Sequence, residues 1–190
     1  GGLIARNPQN VMELSKSIEA TIHSTIPIGH ETRQDDMPSI ATAPDGSVWA
    51  SWISFDGTRD DVAIRHYKDG IWHNLHWVPG TSGDSWLPQI AVDRFNRVWV
   101  VWSQQLDGNW NIFARRFDPI NAEWSPLTML SSSHLPDVNP RIWSDGNGKA
   151  ALVWQGFREN TGGMSGTSSH IFLRLLDGQG DRELGGRGRP

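Results

Sequence analysis

The sequence contains no cysteine, which excludes both a disulfide framework and a thiolate metal site. It has no long apolar run either. The longest, Val98 to Trp102 and Ala150 to Trp154, fall far short of the roughly 20 residues that a membrane-spanning helix needs. Positive charge is scarce: 17 Lys and Arg stand against 21 Asp and Glu, a net charge of −4, with no basic cluster. Nucleic-acid binding rests on neutralising phosphates, so that class of partner is excluded. No EF-hand loop or His-Glu-x-x-His helix is present. His30, His134 and His170 are scattered, so no histidine metal site is expected. Helical patterning is confined to Val11 to Ala20, which reads as one short helix.

What the sequence does hold is tryptophan: 11 of them beside a single tyrosine, with 20 Gly and 11 Pro. Such a composition suits many short strands joined by tight turns. The indole N–H asks for a partner even when the ring is buried, so this many tryptophans need a structural reason. The reason is a repeat.

Three windows align without a gap: Ile22 to Trp52, Trp72 to Trp102, and Trp124 to Trp154. Each carries a Pro (Pro38, Pro88, Pro140), an Ile two residues later (Ile40, Ile90, Ile142) and a closing Trp (Trp52, Trp102, Trp154). The spacing is 50 residues from Pro38 to Pro88 and 52 from Pro88 to Pro140. Each period divides into four strands. The first follows the Pro, which marks a strand start. The second, Val48 to Ile53 in copy one, is reached through a turn at Asp45-Gly46. The third is Val62 to Tyr67, matched by Ile112 to Phe117 and Ile171 to Leu176. The fourth begins at Trp72 or Trp124.

Four antiparallel strands per 50 residues predict an all-β fold, a β-propeller segment of three four-stranded blades. The expected organisation is an N-terminal extension (1–21), the last strand of a preceding or closing blade (22–34), blades at 35–82, 83–134 and 135–178, and a flexible Gly/Arg-rich tail (179–190). Three blades fall below the usual four to eight. The ring is therefore expected to be incomplete, or completed by further chain or by self-association.

The pattern Pro-x-Ile-Ala-x-Asp-x-x-Gly-x-Val-Trp-x-x-Trp, followed by Asp-Gly-x-x-x-Ile-x-x-Arg, resembles bacterial propeller repeats of the sialidase-like (BNR) and TolB-like groups over residues 22–176. The Asp-box of sialidases, Ser-x-Asp-x-Gly-x-Thr-Trp, is not among them: the corresponding turns read Lys68-Asp-Gly-Ile-Trp72 and Asp118-Pro-Ile-Asn-Ala-Glu-Trp124. The resemblance implies an extracytoplasmic protein, periplasmic or secreted. It also draws attention to Arg65, Arg115 and Arg174, since sialidases bind a carboxylate with three arginines, and to Tyr67 as a nucleophile. Both fit the blade better. The arginines recur in register, and Tyr67 stands where the other copies have Phe117 and Leu176.

Function in such rings is expected in the loops of one face, where non-repeated polar and aromatic residues gather. The candidates for ligand binding are Asp35, Asp36, Arg59, Asp60, Asp84, Trp86, Asp107, Trp110, His134, Asp137 and Arg158. Trp86 and Trp110 have no Trp counterpart in the other copies. An indole beside Asp, Asn and Arg gives a sugar its flat apolar platform and directional hydrogen bonds. The acidic residues could act as a glycosidase pair; no cofactor is expected, calcium being the one such carboxylates could hold. The expected function is a binding module for carbohydrate or protein. The alternative is part of the catalytic ring of a sialidase-like glycosidase or polysaccharide lyase. The long Gly/Ser/Thr-rich stretch from Glu159 to Ser169 in copy three is expected to be a mobile loop, a candidate flap.

Overall fold

The computed structural model describes residues 25–81, 83–145, 149–161 and 165–177. The short helix expected at Val11 to Ala20, the N-terminal extension and the tail lie outside the described residues. Among these, every regular element is a β-strand, arranged in three antiparallel sheets.

Sheet 1 holds β1 (Gln34–Thr42), β2 (Val48–Phe55) and β3 (Asp60–Lys68), followed by β4 (Ile71–Trp72) and β5 (His76–Trp77). Sheet 2 repeats it with β6 (Ser85–Val92), β7 (Val98–Leu106), β8 (Asn109–Asp118), β9 (Glu123–Trp124) and β10 (Thr128–Met129). Sheet 3 consists of β11 (Asp137–Ser144), β12 (Lys149–Glu159) and β13 (Thr167–Asp177). The first strands β1, β6 and β11 run side by side, with β6 in the middle.

The four-stranded expectation needs one correction. In sheets 1 and 2 the fourth strand is split, and both pieces pair with the third strand. The break spans residues 73–75 and 125–127. It leaves a carbonyl pointing off the ladder, and the repeated arginine takes it: Arg65 Nε donates to His73 O at 2.6 Å, and Arg115 Nη1 donates to Ser125 O. Sheet 3, among the described residues, has three strands.

The repeated proline also differs from expectation, since it lies inside the first strand rather than at its start. Register slips in each first strand just before it, between Asp36 and Ser39, Trp86 and Gln89, and Val138 and Arg141. Met37, Leu87 and Asn139, the residues preceding each proline, have φ of 54°, 48° and 57°. Proline cannot donate to a ladder and is tolerated at a bulge; the bulge is where this repeat spends its missing N–H. Non-glycine residues in this region of φ are strained, and such bulges often re-aim side chains beside functional sites.

The core fills the spaces between sheets. Trp49, Val62 and Ile64 on one face of sheet 1 pack against Val98, Trp102 and Phe117 of sheet 2. Trp99, Val101 and Ile112 on the far face of sheet 2 pack against Leu152, Trp154 and Leu176 of sheet 3. Each sheet therefore has a leading face, toward its predecessor, and a trailing face, toward its successor. The repeated Trp52, Trp102 and Trp154 are all leading-face residues, 4%, 0% and 7% exposed. Ile28, Val78 and Leu130, one repeat apart, each end up against the leading face of the sheet that follows them.

Candidate functional site

All eleven candidate residues lie at one end of the sheets, where β1, β6 and β11 begin. Most of them are in strands rather than loops, because the hairpins are tighter than the composition implied. The β7–β8 connection is only Asp107-Gly108, with φ of 51° and 79°, the paired positive values of a type I′ hairpin turn. Trp110 is consequently a β8 residue opposite Gln105, and Trp86 a β6 residue opposite Ser103. The stretch read as a long loop in copy three is also partly strand, since Glu159 pairs with Thr167 and Ser169 with Phe157. Residues 162–164 at its tip lie outside the described residues.

Trp86 and Trp110 meet. Their rings stand edge to face, 6.1 Å apart at 88°, a favourable geometry for two aromatic quadrupoles. With Val138 and Asn139 of β11 they line an open cleft of about 240 Å³ between sheets 2 and 3. Trp86 is 49% exposed, so part of its ring is presented to solvent. Asn139 is the strained bulge residue, and its Nδ2 donates to Gln155 Oε1 at 2.8 Å. The bulge thus aims an amide into the cleft wall. Sequence reasoning singled out the two tryptophans but had no signal for Val138 and Asn139, which only the bulge register brings there.

A second group gathers between sheets 1 and 2. Asp60 accepts from the Ser85 N–H at 3.4 Å. Its pKa is raised, chiefly by burial and further by the charges of Asp84, Asp36 and Asp61. Asp36 and Asp84 are exposed. Asp35, also exposed, accepts from the His30 N–H at 3.2 Å, and with Asp36 and Trp52 it lines a smaller cleft.

Other candidates are tied up in the sheets. Asp137 is fully buried, accepting from Trp154 Nε1 and Arg158, both at 3.0 Å. Arg158 also lies over the Phe172 ring. Arg59 sits 3.3 Å from Asp61, which Arg33 holds at 2.8 Å. His134 and Glu159 form an exposed pair at 3.4 Å. Asp107 occupies the hairpin tip, apart from the cleft.

The arginines that suggested a sialidase are likewise engaged with backbone. Arg65 Nη1 donates to Ile28 O at 2.9 Å, and Arg174 Nη1 donates to Leu130 O at 3.0 Å, equivalent carbonyls one sheet back. Tyr67 lies at the opposite end of β3, against Trp72. Among the described residues, no group of three or more His, Asp or Glu could hold a metal ion.

No protein-family model matches the sequence, and no curated protein matches it. Solved structures do resemble it. The α-L-arabinanase of Penicillium chrysogenum, determined in complex with arabinobiose, superposes with a TM-score of 0.54 at 14% identity, covering 74% of this chain and 46% of that one. A Dyadobacter fermentans protein of unknown function superposes with a TM-score of 0.53 at 11% identity, covering 76% of this chain and 52% of that one. The chain spans about half the length of these structures. The likeness shows a propeller-like all-β fold.

Proposed function

We propose that this chain is a propeller-type module that binds carbohydrate in the Trp86–Trp110 cleft. The observation that carries the reading is the half-exposed Trp86 set edge-on to Trp110 beside the Asn139 bulge. A sugar presents an apolar C–H face and a rim of hydroxyls; an indole covers the first and an amide serves the second. A cleft of about 240 Å³ is on the scale of a single sugar ring rather than a drug-sized ligand. The arabinanase was solved with a bound disaccharide, which makes arabino-oligosaccharides the first ligands to try. The test is a glycan array followed by calorimetry on the ligands it returns. Trp86→Ala and Trp110→Ala should each weaken binding by about tenfold or more, the scale of an aromatic anchor. Absence of any glycan ligand, or binding by both variants as tight as the parent's, would leave protein recognition as the better account.

Asp60 favours a second reading, as a glycosidase acid. Burial, with the charges of Asp84, Asp36 and Asp61, raises the Asp60 pKa, and an upward shift is the direction a general acid needs. Release of reducing sugar from arabinan, lost in Asp60→Asn with glycan binding retained, would support it.

A further inference from the structure

One face of sheet 3 is apolar and open at positions that are closed everywhere else. Ile171 and Leu173 are 75% and 64% exposed; their equivalents in sheet 2, Ile112 and Ala114, are 0% and 3%, and in sheet 1, Val62 and Ile64, are both 0%. Trp143 is 64% exposed where its sheet 2 counterpart Ala91 is 5%. The cross-strand register puts these residues on a single surface, with Trp143 opposite Ala151 and Ala151 opposite Leu175, and Val153 opposite Leu173. This is the trailing face, which in sheets 1 and 2 is always covered by the leading face of the next sheet.

The leading face of sheet 1 is open in part: Ala50, Trp52 and Ala63 are buried under Ile28, Trp72, Leu75 and Trp77, but two large side chains beside them are not. Ile40 is 70% exposed where its equivalent Ile90 is 4%, and Tyr67 is 37% exposed where Phe117 and Leu176 are 2% and 1%. The two open faces are therefore the two halves of an interface the molecule already makes twice internally.

The strand ends point the same way. Val78 N donates to Val62 O at 2.8 Å, and Leu130 N donates to Ile112 O at 2.7 Å, each closing the outer edge of a sheet. The next acceptor in this series is Ile171, on β13, the last strand of sheet 3 among the described residues. The donor in register with Val78 and Leu130 is Ile28, which already sits on the sheet 1 leading face under the clamp of Arg65. Ile28 thus occupies the place of a fourth-strand end belonging to a sheet before sheet 1.

We infer that a second copy of this chain packs head to tail on the first, the sheet 1 leading face of each covering the sheet 3 trailing face of the other. The segment through Ile28 of one copy then borders β13 of its partner, and the pair makes a ring of six sheets, within the usual range of four to eight. Each of the two contacts joins unlike patches, and the pair closes if three sheets turn each copy through half a circle, as in a ring of six.

The oligomeric state tests this without any ligand, so it stands or falls separately from the carbohydrate reading. Light scattering after gel filtration should give twice the chain mass. Leu173→Asp and Ile40→Asp should each raise the dimer dissociation constant by more than about a hundredfold, since each places a charge inside an apolar interface. Both positions are exposed in the single chain, so far-UV circular dichroism should be unchanged; Leu173→Ser and Ile40→Ser serve if the Asp variants do not fold. Mixing the two Asp variants should give association through one contact only, weaker than the parent, because one pair of faces is then intact and the other carries both charges. A monomer at all concentrations overturns the inference, leaving a further repeat of a longer polypeptide as the cover. A dimer indifferent to Ile40→Asp overturns it also, since like faces would then be meeting.

Discussion

Asp137 and Gly156 stand opposite each other across β11 and β12, and the carboxylate of the first fills the space a side chain on the second would need. Sheet 2 solves the same problem in reverse. There Ser85 is small and faces Gln104, whose Oε1 accepts from Trp102 Nε1 at 2.8 Å. In sheet 3 it is Asp137 that reaches the indole, Trp154, at 3.0 Å. One cross-strand pair supplies the acceptor for the buried Trp, from either strand.

Gly156→Ala should therefore be destabilising although the glycine's φ is ordinary. A Cβ there would collide with Asp137 Oδ1 and come within 2.7 Å of Phe172. Overpacking of this kind costs about 1–3 kcal/mol, readable as a lower urea midpoint. Importing the sheet 2 solution, Asp137→Ser with Gly156→Gln, should be more stable than the sum of the single changes by roughly 0.5–3 kcal/mol.

The indole bonds can be weighed against each other. Trp52 Nε1 has no partner, whereas Trp154 Nε1 bonds Asp137, whose Oδ2 is already unpaired. Both rings lose similar area on change to Phe. Trp154→Phe should cost about 1–3 kcal/mol more than Trp52→Phe, the scale of leaving a buried acceptor short of a partner. Equal midpoints would show that the Asp137 bond contributes nothing net.

Arg65 spans two elements, bonding His73 O within its own sheet and Ile28 O ahead of it. Arg65→Met keeps much of the stem and removes both bonds. A loss of about 1–3 kcal/mol is expected, with glycan binding unchanged, measured by chemical denaturation and by titration.

His66 is stacked between Trp49 at 4.4 Å and His73 at 4.2 Å. Burial first, then His73 and His76, lowers its pKa, and burial lowers that of His76. The unfolded chain therefore takes up protons at these sites before the folded one does. Stability present above the ordinary histidine value of about 6.5 is lost as pH falls through it. The melting temperature should drop between pH 7 and 5.5, and His66→Phe, which keeps the stack, should flatten part of that drop. Asp60, with its raised pKa, works in the opposite sense at lower pH. An identical pH profile in the variant would exclude His66 as a contributor.

The strand content, the three repeats and the burial of Trp52, Trp102 and Trp154 are legible in the sequence because each is a matter of period and of apolar area. The recurrence of Arg65, Arg115 and Arg174 also identified them as parts of the fold, although the split fourth strand that gives two of them a carbonyl could not be read from residue types. Tertiary structure alone decided the site. Trp86 and Trp110 lie 24 positions apart, and their meeting depends on a type I′ turn that draws Trp110 back into a strand. Asn139 reaches the same cleft only because a bulge precedes Pro140, and a bulge is a relation between two strands. It was likewise packing that placed Asp137 inside, against Trp154 and Arg158, since a carboxylate shows its surroundings only once the strands are paired.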